Sequence, residues 1–107
     1  MAFTRYHSIA GSSAVTTRLI KRGSNANDIK SIMLTNTHAT DAASVSLFLQ
    51  DVTGSVVKSF SILSSVLIPL NVSLLLDDES LLRFDNSVFG LFITVGSSDT
   101  LDVLIND

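Results

Sequence analysis

Ser44-Val45-Ser46-Leu47-Phe48-Leu49-Gln50 decides the fold. Val45, Leu47 and Leu49 take every second position, while Ser44, Ser46 and Gln50 fill alternates. Successive side chains of an extended chain point to opposite faces, so this spacing collects apolar groups on one face of a strand. Leu101, Val103 and Ile105 repeat the pattern near the C-terminus. From residue 15 to residue 105 such segments are separated by Ser, Asn, Asp and Gly, and no helical period persists long enough to compete. The pattern predicts strands over 15–21, 29–36, 43–50, 56–63, 71–76, 88–95 and 101–105, with a short extended piece at 81–84. Strands recurring about every ten residues predict one all-β domain, a single antiparallel β-sandwich of Ig-like or jelly-roll-like order. Residues 1–14 read as an extended N-terminal arm and residues 15–107 as the sandwich.

Within that frame, residue 32 and residue 34 of the second segment share one face, with Ile29 and Met33 on the other. Asp51-Val52-Thr53-Gly54 reads as a hairpin turn in which Gly54 supplies a positive φ, and Gly96-Ser97-Ser98-Asp99 as a second hairpin. Ser64-Ser65 breaks the alternation, and Asp85-Asn86-Ser87 marks a further turn. Pro69, the single proline, lacks an N–H and so belongs at a strand start, an edge or a bulge. Residues 88–95, with Phe92 between Leu91 and Ile93, read as a central strand buried on both faces.

A chain of 107 residues with 46% hydrophobic and 16% charged residues has the profile of one packed domain. Ser and Thr fill many outward positions, which fits a surface partly covered by neighbours. The absence of cysteine leaves apolar burial and backbone ladders to hold the fold. No segment approaches the roughly 18 consecutive apolar residues of a membrane span, and residues 1–11 lack the apolar core of a signal peptide. The expectation is a product made in the cytoplasm that engages neither membrane nor secretion.

Charge is unevenly placed along the chain. Arg5, Arg18, Lys21 and Arg22 all precede the first acidic residue, Asp28, and only Lys30, Lys58 and Arg83 follow it, against ten carboxylates and a net charge of −3. The first quarter is basic and the remainder acidic. Four cations without interleaved aromatics, in a chain of pI 5.1, make a poor footprint for nucleic acid. Docking on an acidic protein surface, including that of an identical subunit, is one reading; a first strand with a basic outer face is the other. Phe3 and Tyr6 lie beside Arg5 outside any predicted strand, and an aromatic with a cation is a typical protein anchor. Phe3, Arg5, Tyr6, Arg18 and Arg22 are therefore the candidate partner-binding residues, with an arm folded back on its own domain as the plainer alternative.

Catalytic and metal chemistry find little support. Asp77, Asp78 and Glu79 with Asp85 could offer oxygens to calcium, but the spacing of a calcium loop is missing, and a solvated turn explains them more simply. It could also receive a neighbour's basic arm. His7 and His38 are the two histidines, too few for a zinc site without scattered carboxylates. A triad of His38, Asp41 and a serine lacks the Gly-x-Ser-x-Gly turn that presents a nucleophile. No glycine-rich phosphate loop occurs. Phe48, Phe60, Phe84, Phe89 and Phe92 fall in strand-like positions and are read as core. Neither an enzymatic activity nor a cofactor is expected.

Three stretches together resemble small virion proteins of tailed bacteriophages: Ile29-Lys30-Ser31-Ile32-Met33-Leu34-Thr35-Asn36-Thr37-His38; Ile68-Pro69-Leu70 leading into Leu74-Leu75-Leu76; and Phe84-Asp85-Asn86-Ser87-Val88-Phe89 followed by Leu91-Phe92-Ile93-Thr94. In that family an I-x-L-x-N-T strand, an I-P lead-in and an F-D-N-S-V turn recur in a single β-sandwich. The likeness covers residues 29–105 and rests on strand and turn patterns. It implies a non-enzymatic structural component of the particle, similar to capsid decoration (cement) proteins. These bind and bridge major capsid subunits on the outside of the shell, often as trimers. A tail, neck or fibre accessory is the alternative in the same context, and a host-surface glycan-binding β-sandwich is the alternative outside it. For the glycan module, the absence of Trp and the single tyrosine count against the reading. As an arm, residues 1–14 are expected to be needed for docking and dispensable for folding.

Overall fold

The structure, a computed structural model, describes residues 3–11, 16–23, 29–37, 42–51, 53–54, 58–78, 82–96 and 99–106. They form eight strands: β1 Arg5–Gly11, β2 Thr16–Ile20, β3 Ser31–Asn36, β4 Ala43–Asp51, β5 Lys58–Ile68, β6 Ser73–Leu76, β7 Phe89–Val95 and β8 Asp99–Asn106. Two four-stranded antiparallel sheets result, ordered β1-β8-β3-β6 and β2-β7-β4-β5. The pairings nest: β4 with β5, β3 with β6, β2 with β7 and β1 with β8. The chain therefore behaves as one long antiparallel hairpin rolled over on itself, with β3–β8 and β4–β7 contacts closing the roll. This is the jelly-roll order, which resolves the choice left open by strand spacing.

Period two dictates the core. Val45, Leu47, Leu91, Ile93 and Val95 face inward from the second sheet, and Ile32, Leu34, Leu101, Val103 and Ile105 from the first, all of them fully buried. Leu47 lies opposite Ile93 and Leu34 opposite Val103, so each inward row continues across neighbouring strands. Among the described residues, three polar ones, Ser31, Asn36 and Asn106, are buried as well. Asn36, 1% exposed, faces inward at the end of β3 and donates its side-chain amide to the Ile68 carbonyl at 3.0 Å. A buried amide needs such a partner, and here the bond ties the first sheet to the end of the second.

Several expectations change. Residues 5–11, read as part of an arm, are an edge strand paired with β8 from Arg5↔Ile105 to Gly11↔Asp99. The alternation was hidden because its inward positions at the open end are Arg5 and His7, both half-buried, before Ile9 enters the core. Ser64-Ser65 does not end a strand: β5 runs through it as a bulge, with Ser65 at φ 50 and its N–H donated to Ser46 Oγ at 2.9 Å. Ile29, placed beside Met33 by parity, is buried at 1% because it precedes the start of β3 and is free of its alternation.

Gly96 and Asp99 flank an arch between sheets rather than a hairpin, since β7 and β8 belong to different sheets; Ser97 and Ser98 lie outside the described residues. Asp99 holds the arch by accepting the Ser44 N–H at 3.0 Å, while Gly96 donates to the Ser44 carbonyl at 2.8 Å. A Cβ on Gly96 would collide with that carboxylate. Leu82 is buried, its N–H is donated to the Asp78 carbonyl, and residues 82–84 form no strand where an extended piece was expected; Leu81 lies outside the described residues. Central strand β7 is buried on its inner face, whereas Phe92 and Thr94 on its outer face remain half-exposed. Pro69 directly follows β5 in a turn closed by the Val72 N–H to its carbonyl, with Asn71 at φ 62. Asn accepts that left-handed position more readily than other non-glycine residues.

Candidate functional site

The five candidate residues fall on two separate surfaces. Tyr6 is 68% exposed on the outer face of the first sheet, and its hydroxyl donates to the Phe3 carbonyl at 2.5 Å. Arg5 alternates with it, points the other way and is half-buried opposite Ile105. Arg18 and Arg22 belong instead to the β2 edge of the second sheet. The two faces carry different chemistry, and the register explains each.

On the first sheet, Tyr6 pairs with Leu104, Leu104 with Met33, and Met33 with Leu75. These four side chains form an outward row that crosses all four strands, from the β1 edge to the β6 edge. Tyr6 and Leu75, at 68% and 51% exposed, are its open ends. Two residues along each strand the next row is polar: Ser8, Asp102, Thr35 and Ser73. Thr35 and Ser73 close it with a hydroxyl–hydroxyl bond of 2.8 Å. Between the rows lies a shallow hollow of about 410 Å³ walled by Tyr6, Ser8, Thr35, Asp102 and Leu104. Isolated exposed apolar residues are ordinary, but a contiguous row is the kind of surface that proteins cover.

On the second sheet a basic hollow of about 230 Å³ is lined by Arg18, Lys21, Arg22, Gly90 and Phe92. Arg18 lies opposite Phe92 across β2 and β7, and Phe92 stacks on Phe48 of β4 with ring centroids 5.9 Å apart. The turn after Phe84 builds the other wall. Asp85 accepts from the Ser87 N–H and hydroxyl. Asn86 donates its side-chain amide to the carbonyls of Lys21 and Phe89, and its own carbonyl takes the Gly23 N–H. Arg22 Nε donates to the Ser87 carbonyl at 2.6 Å. The F-D-N-S-V stretch is thus a clamp that seats the basic segment Lys21-Arg22-Gly23 beside Phe92. Gly23, at φ 80, makes the turn that leaves it. Gly90 keeps the floor open, because a Cβ there would lie 3.0 Å from both the Ile20 carbonyl and the Phe92 ring.

At the opposite edge a third concavity of about 230 Å³ opens between β5 and β6, with Ile62, Leu63, Leu76 and Leu82 inside and Asp77 and Asp78 on its rim. Asp77 and Asp78 are exposed there, while Asp85 sits in the clamp with its carboxylate committed to Ser87, so the acidic residues do not converge as a calcium loop requires. No group of three or more His, Cys, Asp or Glu among the described residues could hold a metal ion. His38, Asp41 and Glu79 lie outside the described residues.

The hydroxyl and N–H of Ser87, in that order, hold the Asp85 carboxyl below its ordinary value. Thr53 does the same for Asp51, again hydroxyl first, with Lys58 and Arg22 adding their charge. Both carboxylates accept from the hydroxyl and N–H of the residue two positions on.

In the sequence Lys21 counts only among the early cations, Phe92 reads as core and Met33 only as one face of its strand; none of these, nor Gly90, Leu104 or Leu75, is a candidate partner-binding residue there. A signal existed for the aromatics. Phe48 alternates with Leu47 and Leu49, so parity alone points it outward, and Phe92 is likewise offset from Leu91 and Ile93. Both belong to the outer face and Phe60 is 54% exposed, whereas Phe84 packs against the core as expected. The apolar row needed cross-strand register, which strand spacing does not carry. Comparison of the chain with protein-family models, with curated proteins and with solved structures gives no match.

Proposed function

We propose that this chain is a non-enzymatic structural protein of a tailed phage particle. In this reading it is a decoration subunit that seats the outer face of its first sheet on the major capsid protein and bridges neighbouring subunits. The observation that carries the proposal is the Tyr6–Leu104–Met33–Leu75 row, an exposed apolar stripe bordered by the Ser8–Asp102–Thr35–Ser73 row. Aromatic and aliphatic anchors rimmed by polar groups are the usual make-up of a protein-binding patch. The phage context is supported by the resemblance over residues 29–105. Jelly rolls occur in capsid proteins and also in lectins, so the order of strands does not choose between those uses. A cement subunit repeated over a shell turns a modest contact at each site into a large total through multivalency. Placement on the capsid surface after synthesis in the host cytoplasm, and assembly as a homo-oligomer, trimeric in the favoured form, belong to the same proposal.

A second reading, a module that binds host-surface glycan, is favoured by one feature: the Tyr6 ring lies beside Asp102, Ser8 and Thr35 in the same hollow. A ring to stack on a sugar and a carboxylate to take its hydroxyls is a workable pair, although one tyrosine makes a small platform. Co-sedimentation separates the readings. The labelled chain is mixed in turn with empty expanded capsids, with isolated tails of the same phage and with cell-surface polysaccharide. Binding to capsids, lost in Leu104→Asp with unfolding temperature retained, is expected. Binding to tails alone moves the assignment to a tail accessory. Binding to polysaccharide alone, or to none of the three, overturns it.

A further inference from the structure

The rolled topology has a consequence for charge. The concavity shared by β5 and β6 places those two strands at one edge of the sandwich, and the sheet orders then place β1 and β2 at the other. The chain's basic first quarter is therefore laid along one edge, and Arg18, Lys21 and Arg22 gather around Phe92 on the outer face of the second sheet beside it. Its middle is laid on the opposite edge, where Asp77 and Asp78 stand on the rim of an apolar groove. From this we infer that a second copy of the chain occupies the basic hollow, entering with its Asp77–Asp78 corner. The contact is head-to-tail.

Three features make the fit specific. The exposed Asp77 at the corner meets a hollow bordered by three cations, and Arg18, exposed on its wall, can take that carboxylate in the forked geometry that guanidinium offers. The apolar groove behind the corner, with Ile62 and Leu63 half-buried in it, offers apolar surface to the half-exposed Phe92 floor. The edge is also large enough. The domain measures 39 × 35 × 18 Å, so one edge presents roughly 600–700 Å², near the roughly 800 Å² per partner of a standard interface. The basic side is not free of acid: Asp51 lies close enough to Arg22 to feel its charge, but its carboxylate is occupied by Thr53. Asp85 is similarly occupied by Ser87.

A head-to-tail contact uses two different patches on every copy, so it closes into a ring when the rotation permits. It leaves the outer face of the first sheet uncovered, and it stands whether or not that face docks on a capsid.

Sedimentation velocity of the full chain tests the inference. The wild type is expected above its monomer mass of 11.5 kDa and to fall toward it as salt rises from about 0.1 M to 1 M, where the screening length drops from about 10 Å to 3 Å. Arg18→Glu with Lys21→Glu abolishes association, and so does Asp77→Lys with Asp78→Lys. The variant carrying all four changes reverses both patches and associates again. Arg22 is left intact because its Nε holds the clamp. A wild type that is monomeric across the concentration series overturns the inference. So does a one-sided variant that keeps the wild-type mass, or a folded fourfold variant that stays monomeric. If a variant fails to fold, the salt series on the wild type decides: a mass unchanged by salt overturns the contact.

Discussion

The two edges of the sandwich differ more than its two sheets do. At the β1/β2 edge, Arg5, Arg18, Lys21 and Arg22 lie on or just after short strands, and the segment after β2 is held by side-chain bonds from the Asn86 turn. At the β5/β6 edge an eleven-residue strand with a bulge borders a four-residue one, and a leucine-lined groove carries Asp77 and Asp78. Bulges and short strands both discourage sheet-to-sheet addition at an open edge, so each edge is arranged to be met through side chains. The lesson is topological. The chain carries Arg18, Lys21 and Arg22 toward one side and Asp77 and Asp78 to the other, because the roll sets its N-terminal strands opposite its middle.

Removing the basic edge at its root has the largest expected effect. Deletion of residues 1–14 takes away β1 and leaves β8, with its buried Leu101, Val103 and Ile105, as a naked edge. The truncated chain is expected to lose its cooperative unfolding transition and to aggregate, read by circular dichroism and light scattering. A truncated chain that melts like the full one would restore the arm reading.

The next test strikes the joint near the acidic edge. Asn36→Ala leaves the Ile68 carbonyl without its buried donor, and losing one partner of a buried pair costs about 1–3 kcal/mol. Urea unfolding measures it, and an unchanged midpoint would show that the bond between sheets contributes nothing. Asn86→Ala acts on the basic edge and is milder, about 0.5–1.5 kcal/mol for a net hydrogen bond. Its local mark is faster amide exchange at Gly23, whose N–H is held by the same turn.

How much of this was legible in the sequence follows from where each residue sits. β4, β7 and β8 carry clean alternation because one face of each meets the opposite sheet, and the buried sets Val45/Leu47 and Leu101/Val103/Ile105 could be read directly. β1 could not be read, because its inward positions at the open end tolerate Arg5 and His7. The β5 bulge looked like a break for a related reason: Ser65 at φ 50 interrupts the alternation without ending the pairing. Gly96 and Asp99, between β7 and β8, are the same Gly and Asp that a hairpin would use, and only sheet membership separates the two.

The stretches behind the phage resemblance illustrate the limit. Asn36 meets Ile68, and Asn86 clamps Lys21, so the I-x-L-x-N-T, I-P and F-D-N-S-V patterns are joints of the fold. They carried architecture well and said little about the surfaces.

The smallest effect comes from pH. Asp85 and Asp51 are both held below their ordinary value near 3.8 by neighbouring hydroxyl and N–H donors. Each therefore contributes stability that is fully present above that value and is lost as the pH falls through the lowered folded one. A stability profile should be flat in these terms near neutrality and decline in acid, less steeply in Asp85→Asn. A profile in which that variant matches the wild type at every pH would remove the Asp85 turn from the account.

The nesting of strands is the claim on which both edges depend, and a chain without cysteine allows it to be tested by cross-linking. Thr16 and Thr94 have hydroxyl oxygens 2.8 Å apart across β2 and β7, as do Thr35 and Ser73 across β3 and β6. Thr16→Cys with Thr94→Cys, and separately Thr35→Cys with Ser73→Cys, should each give an intrachain disulfide on mild oxidation of the folded protein, read by intact mass and non-reducing electrophoresis. Either pair remaining reduced, or oxidising solely between chains while the protein stays folded, would contradict the rolled order.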